Sequence, residues 1–257
     1  MASLAHFRWT SAARSDPGWV REINEDACLD QPQGGLWAVA DGMGGHSLGD
    51  LASRLVVDAL SRLPHADTLP ELTANGHDRL QAVNGQLRAE AALRHVQVIG
   101  STVAALFACD RQCGYLWAGD SRIYLYRNGH LIQLTRDHSQ VEELKSLGAL
   151  SPEEAIHHPA RNLITRAVGA ADTLEIDEGK LEVNDGDLFL LCSDGLSNEV
   201  SEEEICAALA AGDCRQAAES LVDRALKHGG RDNISVVVVR ADDVQGIDQT
   251  IVNPVFL

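Results

Sequence analysis

The chain has 257 residues, of which 45% are hydrophobic, and its formal net charge is −17 at pH 7. This length and apolar content suffice to bury a sizeable core, and we expect one domain. The acidity argues against nucleic acid as a partner, because phosphate recognition needs a basic surface and no long run of lysine or arginine is present. The chain lacks an apolar run of about 20 residues and a secretory leader, so we expect no membrane insertion and a cytoplasmic protein.

Elements of the first half begin with short apolar fragments in residues 8–30, which a turn at 15–18 interrupts. The apolar run 36–40 predicts a buried strand. A capping-box-like pair, Ser47 and Asp50, predicts the start of a helix with apolar positions through Leu63. A more polar helix is expected from about 69 to 94, broken near Asn75 and Gly76.

The centre of the chain reads as an antiparallel meander. Strands are predicted at 103–109, 115–118 and 123–126, and Asn128-Gly129 is a strong hairpin signal. From 137 to 169 the pattern loosens into short helical pieces with two prolines and the pair His157 and His158, which is typical of a segment that covers a site.

Strands return at 174–176, 180–183 and 188–192, followed by a helix capped at Ser201, a helix ending near Gly229, and a core strand at 234–239. Residues after 242 form an unpatterned tail. Strands mostly follow strands through short turns, so helices packed on antiparallel sheets, an α+β fold, fit better than parallel βαβ units.

Six cysteines occur at positions 28, 109, 113, 192, 206 and 214, without a Cys-x-x-Cys pair. Several lie in apolar runs, so small buried side chains in a reducing compartment are a better interpretation than zinc ligands or disulfides.

Acidic residues stand at the ends of four apolar runs. Asp41 and Asp194 follow the runs 36–40 and 188–192, each before a glycine, Asp120 follows 115–118, and Asp232 precedes 234–239. One Asp-Gly step would indicate only a solvated turn. Four such acids at four strand ends predict one carboxylate cluster.

Clustered carboxylates repel by roughly 4 kcal/mol per pair at about 4 Å with an effective dielectric near 20, and a divalent cation removes this cost. Carboxylate, carbonyl and water oxygens favour Mg²⁺ or Mn²⁺ over zinc or copper. The chain has no EF-hand loop and no phosphate-binding Gly-x-x-x-x-Gly-Lys loop, which disfavours calcium sensing and nucleotide switching.

Two ions that share Asp41 can lower the pKa of a bridging water and present it as hydroxide for in-line attack on phosphorus. Arg21 would add a bidentate phosphate contact, although an exposed ion pair at a strand edge is the simpler interpretation of residues 21–26 alone. A covalent route is less supported, because Ser193 lacks a Gly-x-Ser-x-Gly elbow and Cys192 lies in an apolar run. The residues favour metal-assisted phosphoester hydrolysis.

Several short motifs, in this order, resemble those of the bacterial PP2C-type metal-dependent protein Ser/Thr phosphatases. They are Arg21-x-x-Asn24-Glu25-Asp26, Asp41-Gly42-Met43-Gly44-Gly45, Gly100-Ser101-Thr102, Gly119-Asp120-Ser121-Arg122, Asp137-His138-Ser139, Thr165-Arg166-Ala167-Val168-Gly169, Ser193-Asp194-Gly195-Leu196 and Gly230-Arg231-Asp232-Asn233. The resemblance runs from about residue 9 to 241, and the order of the motifs makes it specific.

The resemblance implies a four-layer αββα sandwich, in which helix pairs flank two antiparallel β-sheets. It also implies a phosphatase domain over residues 1–242, with a flap at about 140–169 and a tail at 243–257. Two Mg²⁺ or Mn²⁺ ions, with a third possible, would support hydrolysis of phosphoserine and phosphothreonine.

The resemblance also assigns site residues by position. Asp41, Asp194 and Asp232 would hold the first ion, and Asp41 with the Gly42 carbonyl would bridge to the second. The remaining assignments are Glu25 and Asp26 to the second ion or its waters, Asp120 to a third ion, and Arg21 to the phosphate.

One departure concerns the acid that protonates the leaving group. Animal members of the family have histidine after the Asp-Gly step, whereas this chain has Met43, as bacterial members do. His46, His157 or metal-bound water then remain as candidates.

The resemblance implies phosphoproteins and a cognate Ser/Thr kinase as partners of a monomeric enzyme. The absence of an appended sensor or membrane helix resembles phosphatases encoded beside a Ser/Thr kinase, including those that oppose the kinase controlling bacterial type VI secretion. The alternative is a catalytically silent phosphoprotein-binding module, which is less favoured because every expected carboxylate is present. A cation-binding structural protein would leave Arg21 unexplained.

Overall fold

The computed structural model describes residues 7–44, 48–156 and 158–244. Within them the strands are β1 (Phe7–Asp16), β2 (Asp26–Gln31), β3 (Leu36–Met43), β4 (Gly100–Ser101), β5 (Val103–Cys109), β6 (Gln112–Ala118), β7 (Arg122–Arg127), β8 (His130–Gln133), β9 (Asp177–Glu182), β10 (Leu188–Cys192) and β11 (Ile234–Asp243). The helices are α1 (Leu48–Ser61), α2 (Leu69–Leu93), α3 (Gln140–Ser146), α4 (Pro152–Ile156), α5 (Asp194–Ser197), α6 (Glu202–Ala211) and α7 (Cys214–His228).

The described strands form two antiparallel sheets. The first has the order β1-β11-β10-β7-β8, and the second has the order β2-β3-β5-β6-β9, with the short β4 paired to the end of β3. The predicted central meander is wrong as a single unit, because the turn between β6 and β7 crosses from one sheet to the other. The strands β5 and β6 form a hairpin in the second sheet, and β7 and β8 form one in the first.

The two sheets pack face to face over an apolar layer that includes Trp37, Val39, Ile123, Leu191 and Val237. Residues 36–40 are buried on both faces of β3, because the opposite face of the second sheet is covered by α1 and α2. A strand covered on both sides reads as a continuous apolar run, as this one does.

Helices complete the outer layers. The helices α1 and α2 pack on the second sheet, and α6 and α7 pack on the first. The predicted four-layer αββα sandwich of the α+β class is therefore confirmed.

Two further local predictions are wrong. Helix α2 is continuous through Asn75 and Gly76, because this glycine lets the helix approach the sheet: a Cβ at Gly76 would lie 2.8 Å from Cζ of Phe107. Residues 174–176 do not form a strand, and β9 begins at Asp177. The Leu174 carbonyl instead accepts a 2.8 Å hydrogen bond from the Gln81 side chain, while its own side chain is buried in the core.

The predicted covering segment contains the two short helices α3 and α4. Ser139 caps the start of α3, and the two ends of the segment are held together where Thr165 N donates to His138 O at 2.7 Å. Val168 pairs with Ser101 in β4, which itself pairs with the end of β3, so the segment returns to the end of β3.

No helix in the described ranges is both long enough and apolar enough to cross a bilayer. The six cysteines are free thiols. Burial raises the pKa of Cys28 and Cys192 to about 12, which keeps these thiols protonated and unreactive.

Candidate metal centre

The predicted acidic residues meet at one end of the sandwich, and both sheets contribute them. Asp26 starts β2 and lies directly opposite Asp41 in β3, in the second sheet. Asp194 follows β10 and Asp232 precedes β11, in the first sheet. Asp120 lies in the turn between β6 and β7, which connects the two sheets.

These carboxylates lie close enough to perturb one another. Burial raises the pKa of Asp26 and Asp120 to about 7, and their neighbouring carboxylates add to the effect. Burial and then repulsion from Asp232 raise the pKa of Asp194 to about 6. For Asp41, burial followed by repulsion from the other four acids raises the pKa well above its ordinary value.

The cluster fits a divalent cation. Asp26 Oδ1 and Asp194 Oδ1 are buried and have no hydrogen-bond partner among the described residues, and an unpaired anionic oxygen in such a place is costly unless a cation offsets its charge. In the same ranges no three acidic, histidine or cysteine side chains lie close enough together to hold a metal ion between them. An open set of oxygen donors completed by water suits Mg²⁺ or Mn²⁺, since Mg²⁺ usually keeps several waters.

The backbone on both sides of Asp41 is held by β4 and its neighbour. Asp41 N donates to Thr102 Oγ1 at 2.9 Å, while Thr102 N and Ser101 Oγ donate to Asp41 O at 2.8 and 3.0 Å. Thr102 Oγ1 also lies 2.7 Å from Ser121 Oγ, beside Asp120. The Gly-Ser-Thr motif therefore positions the carboxylate that the resemblance assigns to both ions.

Gly42 is enclosed by backbone, which explains why only glycine fits. A Cβ there would lie 2.0 Å from Gly49 O, at the start of α1. Gly42 N donates to Glu25 O at 3.1 Å, and Glu25 Oε1 accepts from Gly49 N at 3.2 Å. The Glu25 carboxylate thus contacts the first turn of α1, and its role toward an ion or its waters stays a prediction.

Ser193 joins the two halves of the cluster. Its hydroxyl donates to Asp26 Oδ2 at 2.8 Å and accepts from Ser235 N at 3.0 Å, so it links β2 to the ends of β10 and β11. Asp194 Oδ2 accepts from Asn198 Nδ2 at 3.1 Å. Neither contact was predicted, although a hydroxyl directly before the Asp-Gly step is a signal for such a role.

Arg21 lies at the exposed rim of the cluster. Its Nη2 is 2.7 Å from Asp232 Oδ2, and this pair is the largest cause of the raised pKa of Arg21. The guanidinium therefore makes an ion pair with a carboxylate of the cluster, and its contact with a phosphate stays a prediction.

The turn that carries Asp120 is fastened to the covering segment. Gly119 N donates to Nδ1 of His138 at 3.1 Å, and Nε2 of His138 is 3.2 Å from Asp177 Oδ2. Arg122 makes a bidentate contact with Asp137, with its Nη2 2.7 Å from Oδ2. These contacts give the Asp-His-Ser motif a structural role.

Two candidates for the acid, His46 and His157, lie outside the described residues. Met43 is half-buried at the end of β3, and Nδ1 of His158 accepts from Ala160 N at 3.2 Å. The identity of the proton donor remains a prediction.

Beside the cluster is a cleft of about 480 Å³. Asp120, Asp194 and Asp232 form one side, and residues of α3 and α4 with Arg161 form the other.

The model of the family described as protein phosphatase 2C matches residues 20–231. The chain belongs to the protein phosphatase 2C family. It is 41% identical to the serine/threonine protein phosphatase PstP of Mycobacterium tuberculosis over 239 residues, which are 90% of this chain and 45% of PstP, so the chain spans about half the length of that relative. It is 36% identical to the serine/threonine phosphatase Stp of Listeria monocytogenes over 90% of this chain and 96% of Stp.

Solved structures of protein phosphatase 2C members agree with this fold. PppA, a key regulatory component of the type VI secretion system in Pseudomonas aeruginosa, is 47% identical with a TM-score of 0.85, over 91% of this chain and 97% of PppA. The catalytic domain of PstP in complex with two manganese ions is 38% identical with a TM-score of 0.82, over 92% and 100% of the two chains. The two manganese ions belong to the PstP catalytic domain, and they are of the kind that the sequence predicts for this chain.

Proposed function

We propose that the protein hydrolyses phosphoserine and phosphothreonine in proteins, as a Mg²⁺- or Mn²⁺-dependent phosphatase. The observation that carries this proposal is the cluster of buried and half-buried carboxylates with raised pKa values at one end of the sandwich. A cluster that is unfavourable without cations is well suited to collect them. When bound, divalent ions supply the charge that ionises water near neutral pH and offsets the negative charge that develops at phosphorus.

Within this proposal, Asp41, Asp194 and Asp232 hold one ion, and Asp26 with Glu25 serves the second. Ser193 keeps the Asp26 carboxylate aimed into the cluster through its 2.8 Å hydrogen bond. Asp120 serves a third ion. The backbone carbonyl of Gly42 would serve the second ion together with Asp41.

Arg21 binds the phosphoryl group at the rim of the cluster. Its guanidinium is a planar fork that can contact two phosphate oxygens at once, which a lysine cannot do. The ion pair with Asp232 fixes one nitrogen and therefore orients the fork toward the carboxylates.

The leaving serine or threonine oxygen needs a proton, because an alkoxide is a poor leaving group. His46 is the donor that we propose first, followed by His157. Neither assignment rests on a described contact.

The deciding experiment is hydrolysis of a phosphothreonine peptide with and without Mn²⁺, in the presence of okadaic acid. We expect turnover only with Mn²⁺, and no inhibition by okadaic acid. Specific peptide binding with no turnover at any Mn²⁺ concentration would favour the catalytically silent alternative.

We further propose that the protein is a cytoplasmic monomer that reverses a cognate Ser/Thr kinase. The likeness to PppA supports a role opposite the kinase of a type VI secretion system. Loss of phosphate from the autophosphorylated kinase upon addition of the protein tests the pairing, and sedimentation tests the monomer.

A further inference from the structure

The loop that joins β1 to β2 exposes apolar side chains on both sides of Arg21. Trp19 is 72% exposed, Val20 is 66% exposed and Ile23 is 47% exposed. We call these three residues the apolar platform. Exposed apolar residues gathered on one short segment commonly mark a binding site, whereas single ones need no explanation.

This loop is held firmly against the metal centre. The side-chain amide of Asn233 donates to Pro17 O and Ile23 O, both at 3.0 Å, and its oxygen accepts from Glu25 N at 2.8 Å. One buried side chain beside Asp232 therefore ties both ends of the loop. The platform keeps a fixed position relative to the carboxylates.

Trp19 itself is fixed with its ring facing outward. Its backbone N donates to Gly230 O at 2.7 Å, and its indole Nε1 donates to Leu226 O at 3.0 Å. Gly230 has a φ of +52°, and a Cβ there would lie 2.8 Å from Cδ1 of the indole. The polar atom of the indole is thus satisfied within the protein, and an apolar face is left for a partner at little entropic cost.

The platform is within one or two residues of the phosphate contact. Two residues of chain span at most about 7 Å, which bounds the distance from the Arg21 backbone to Trp19 on one side and Ile23 on the other. An extended peptide advances about 3.3 Å per residue. A phosphoresidue bound at Arg21 would therefore bring its nearest neighbours over the platform.

We propose that the apolar platform selects phosphoproteins with a large apolar side chain within two residues of the phosphorylated serine or threonine. This inference rests on the proposed phosphatase activity and adds a sequence preference to it. The occupant is a substrate segment, because the platform lies on the same short loop as Arg21 and Trp19 is held there by two hydrogen bonds.

The test compares three substrates with Mn²⁺: a small aryl phosphate, a phosphothreonine peptide flanked by leucines, and the same peptide flanked by serines. For the unmodified protein we expect kcat/KM about tenfold higher for the leucine peptide than for the serine peptide. In Trp19→Ala this ratio should fall to about twofold. The matched control is Leu93→Ala at the end of α2, where a 74% exposed side chain lies outside the loop, and it should keep the tenfold ratio.

Because Trp19→Ala also removes the hydrogen bond to Leu226, a second variant is needed to separate loss of apolar contact from distortion of the loop. Val20→Ser leaves both Trp19 hydrogen bonds in place and should lower the leucine-to-serine ratio about threefold. A leucine-to-serine ratio of kcat/KM near one in the unmodified protein would refute the proposed peptide selection by the platform. An unchanged ratio in both variants would refute it as well.

The outcomes also separate the two proposals. No Mn²⁺-dependent hydrolysis of any of the three substrates would refute the phosphatase activity itself. Hydrolysis of all three without peptide discrimination would refute only the platform. A dimer of the unmodified protein that Trp19→Ala converts to monomer, with the peptide ratio unchanged, would assign this surface to self-association and overturn the inference.

Discussion

Replacing Asp26 by asparagine removes a buried charge while keeping the shape of the side chain. The amide oxygen of asparagine can still accept the hydrogen bond from Ser193, which is 2.8 Å from Asp26 Oδ2. In protein stripped of metal by EDTA, we therefore expect Asp26→Asn to raise the free energy of unfolding at pH 8, although this residue belongs to the proposed metal centre.

The magnitude follows from the pKa of Asp26, which burial raises from 3.8 to about 7. At about 1.4 kcal/mol for each tenfold change in proton affinity, this corresponds to about 4 kcal/mol of destabilisation when the carboxylate is ionised. Because neighbouring acids can take up protons in its place, we expect about 2 kcal/mol to be recovered.

The sign of the pH dependence follows from the same values. Below pH 3.8 Asp26 is protonated in the folded and unfolded states, so its charge costs nothing. Between about 4 and 7 the folded state binds more protons than the unfolded state, and the stability of the metal-free protein falls as the pH rises. Above about 7 the full cost is present.

Urea unfolding in EDTA at pH 5 and pH 8 measures both effects. Asp26→Asn should gain more stability at pH 8 than at pH 5, and Asp78→Asn, at an 88% exposed side chain of α2, should change little at either pH. With Mn²⁺ at a hundred times its Kd, the unmodified protein should gain about 2.7 kcal/mol, and Asp26→Asn should gain less. Equal loss of stability at both pH values in the variant would refute the view that the ionised Asp26 carboxylate destabilises the metal-free protein.

Further expectations concern catalysis and packing. Asp194→Ala should abolish turnover at all practical Mn²⁺ concentrations while the protein still folds, and near-normal kinetics would contradict its role as a ligand. Arg21→Lys should raise KM for a phosphopeptide about tenfold, or ~1.4 kcal/mol, with a smaller effect on Mn²⁺ affinity; the reverse pattern would assign Arg21 to the metal site. Ser193→Ala should weaken Mn²⁺ binding about tenfold in a titration, and unchanged affinity would show that the hydroxyl does not position the ligand. Gly76→Ala should destabilise by about 1 kcal/mol because it overpacks a buried aromatic ring, whereas Gly85→Ala in the same helix, with nothing within 4 Å of its added Cβ, should stabilise by roughly 0.5–1 kcal/mol.

Local patterns in the sequence predicted most elements of the fold because they carry their own signals. The run 36–40 is apolar throughout since both faces of β3 are covered, and Ser201 with Glu204 forms the capping box of α6. The sequence predicted only fragments of β1, because most residues of this strand are half-buried or exposed and show no apolar run. The strand is defined instead by its pairing with β11 along its full length.

Four acids of the site, Asp41, Asp120, Asp194 and Asp232, were predictable because each stands next to an apolar run, but the residues that position them were not. Thr102, Ser193 and Asn233 act through contacts with residues 61, 167 and 208 positions away in the chain. Such contacts depend on how the two sheets are stacked, which no local pattern specifies. A hydroxyl or amide side chain directly beside a candidate carboxylate or strand end is the signal that could have pointed to them.

The acids come from both sheets, and this divides the catalytic machinery between two halves that are separately incomplete. A chain with only the second sheet formed presents Asp26 and Asp41 alone, and one with only the first presents Asp194 and Asp232 alone. Neither partial structure has all of these carboxylates, so under the proposed function we expect no Mn²⁺-dependent activity before the two sheets have docked. Because the acids come from both sheets, activity requires the complete fold. During refolding, Mn²⁺-dependent activity should return after the two sheets have docked and never before.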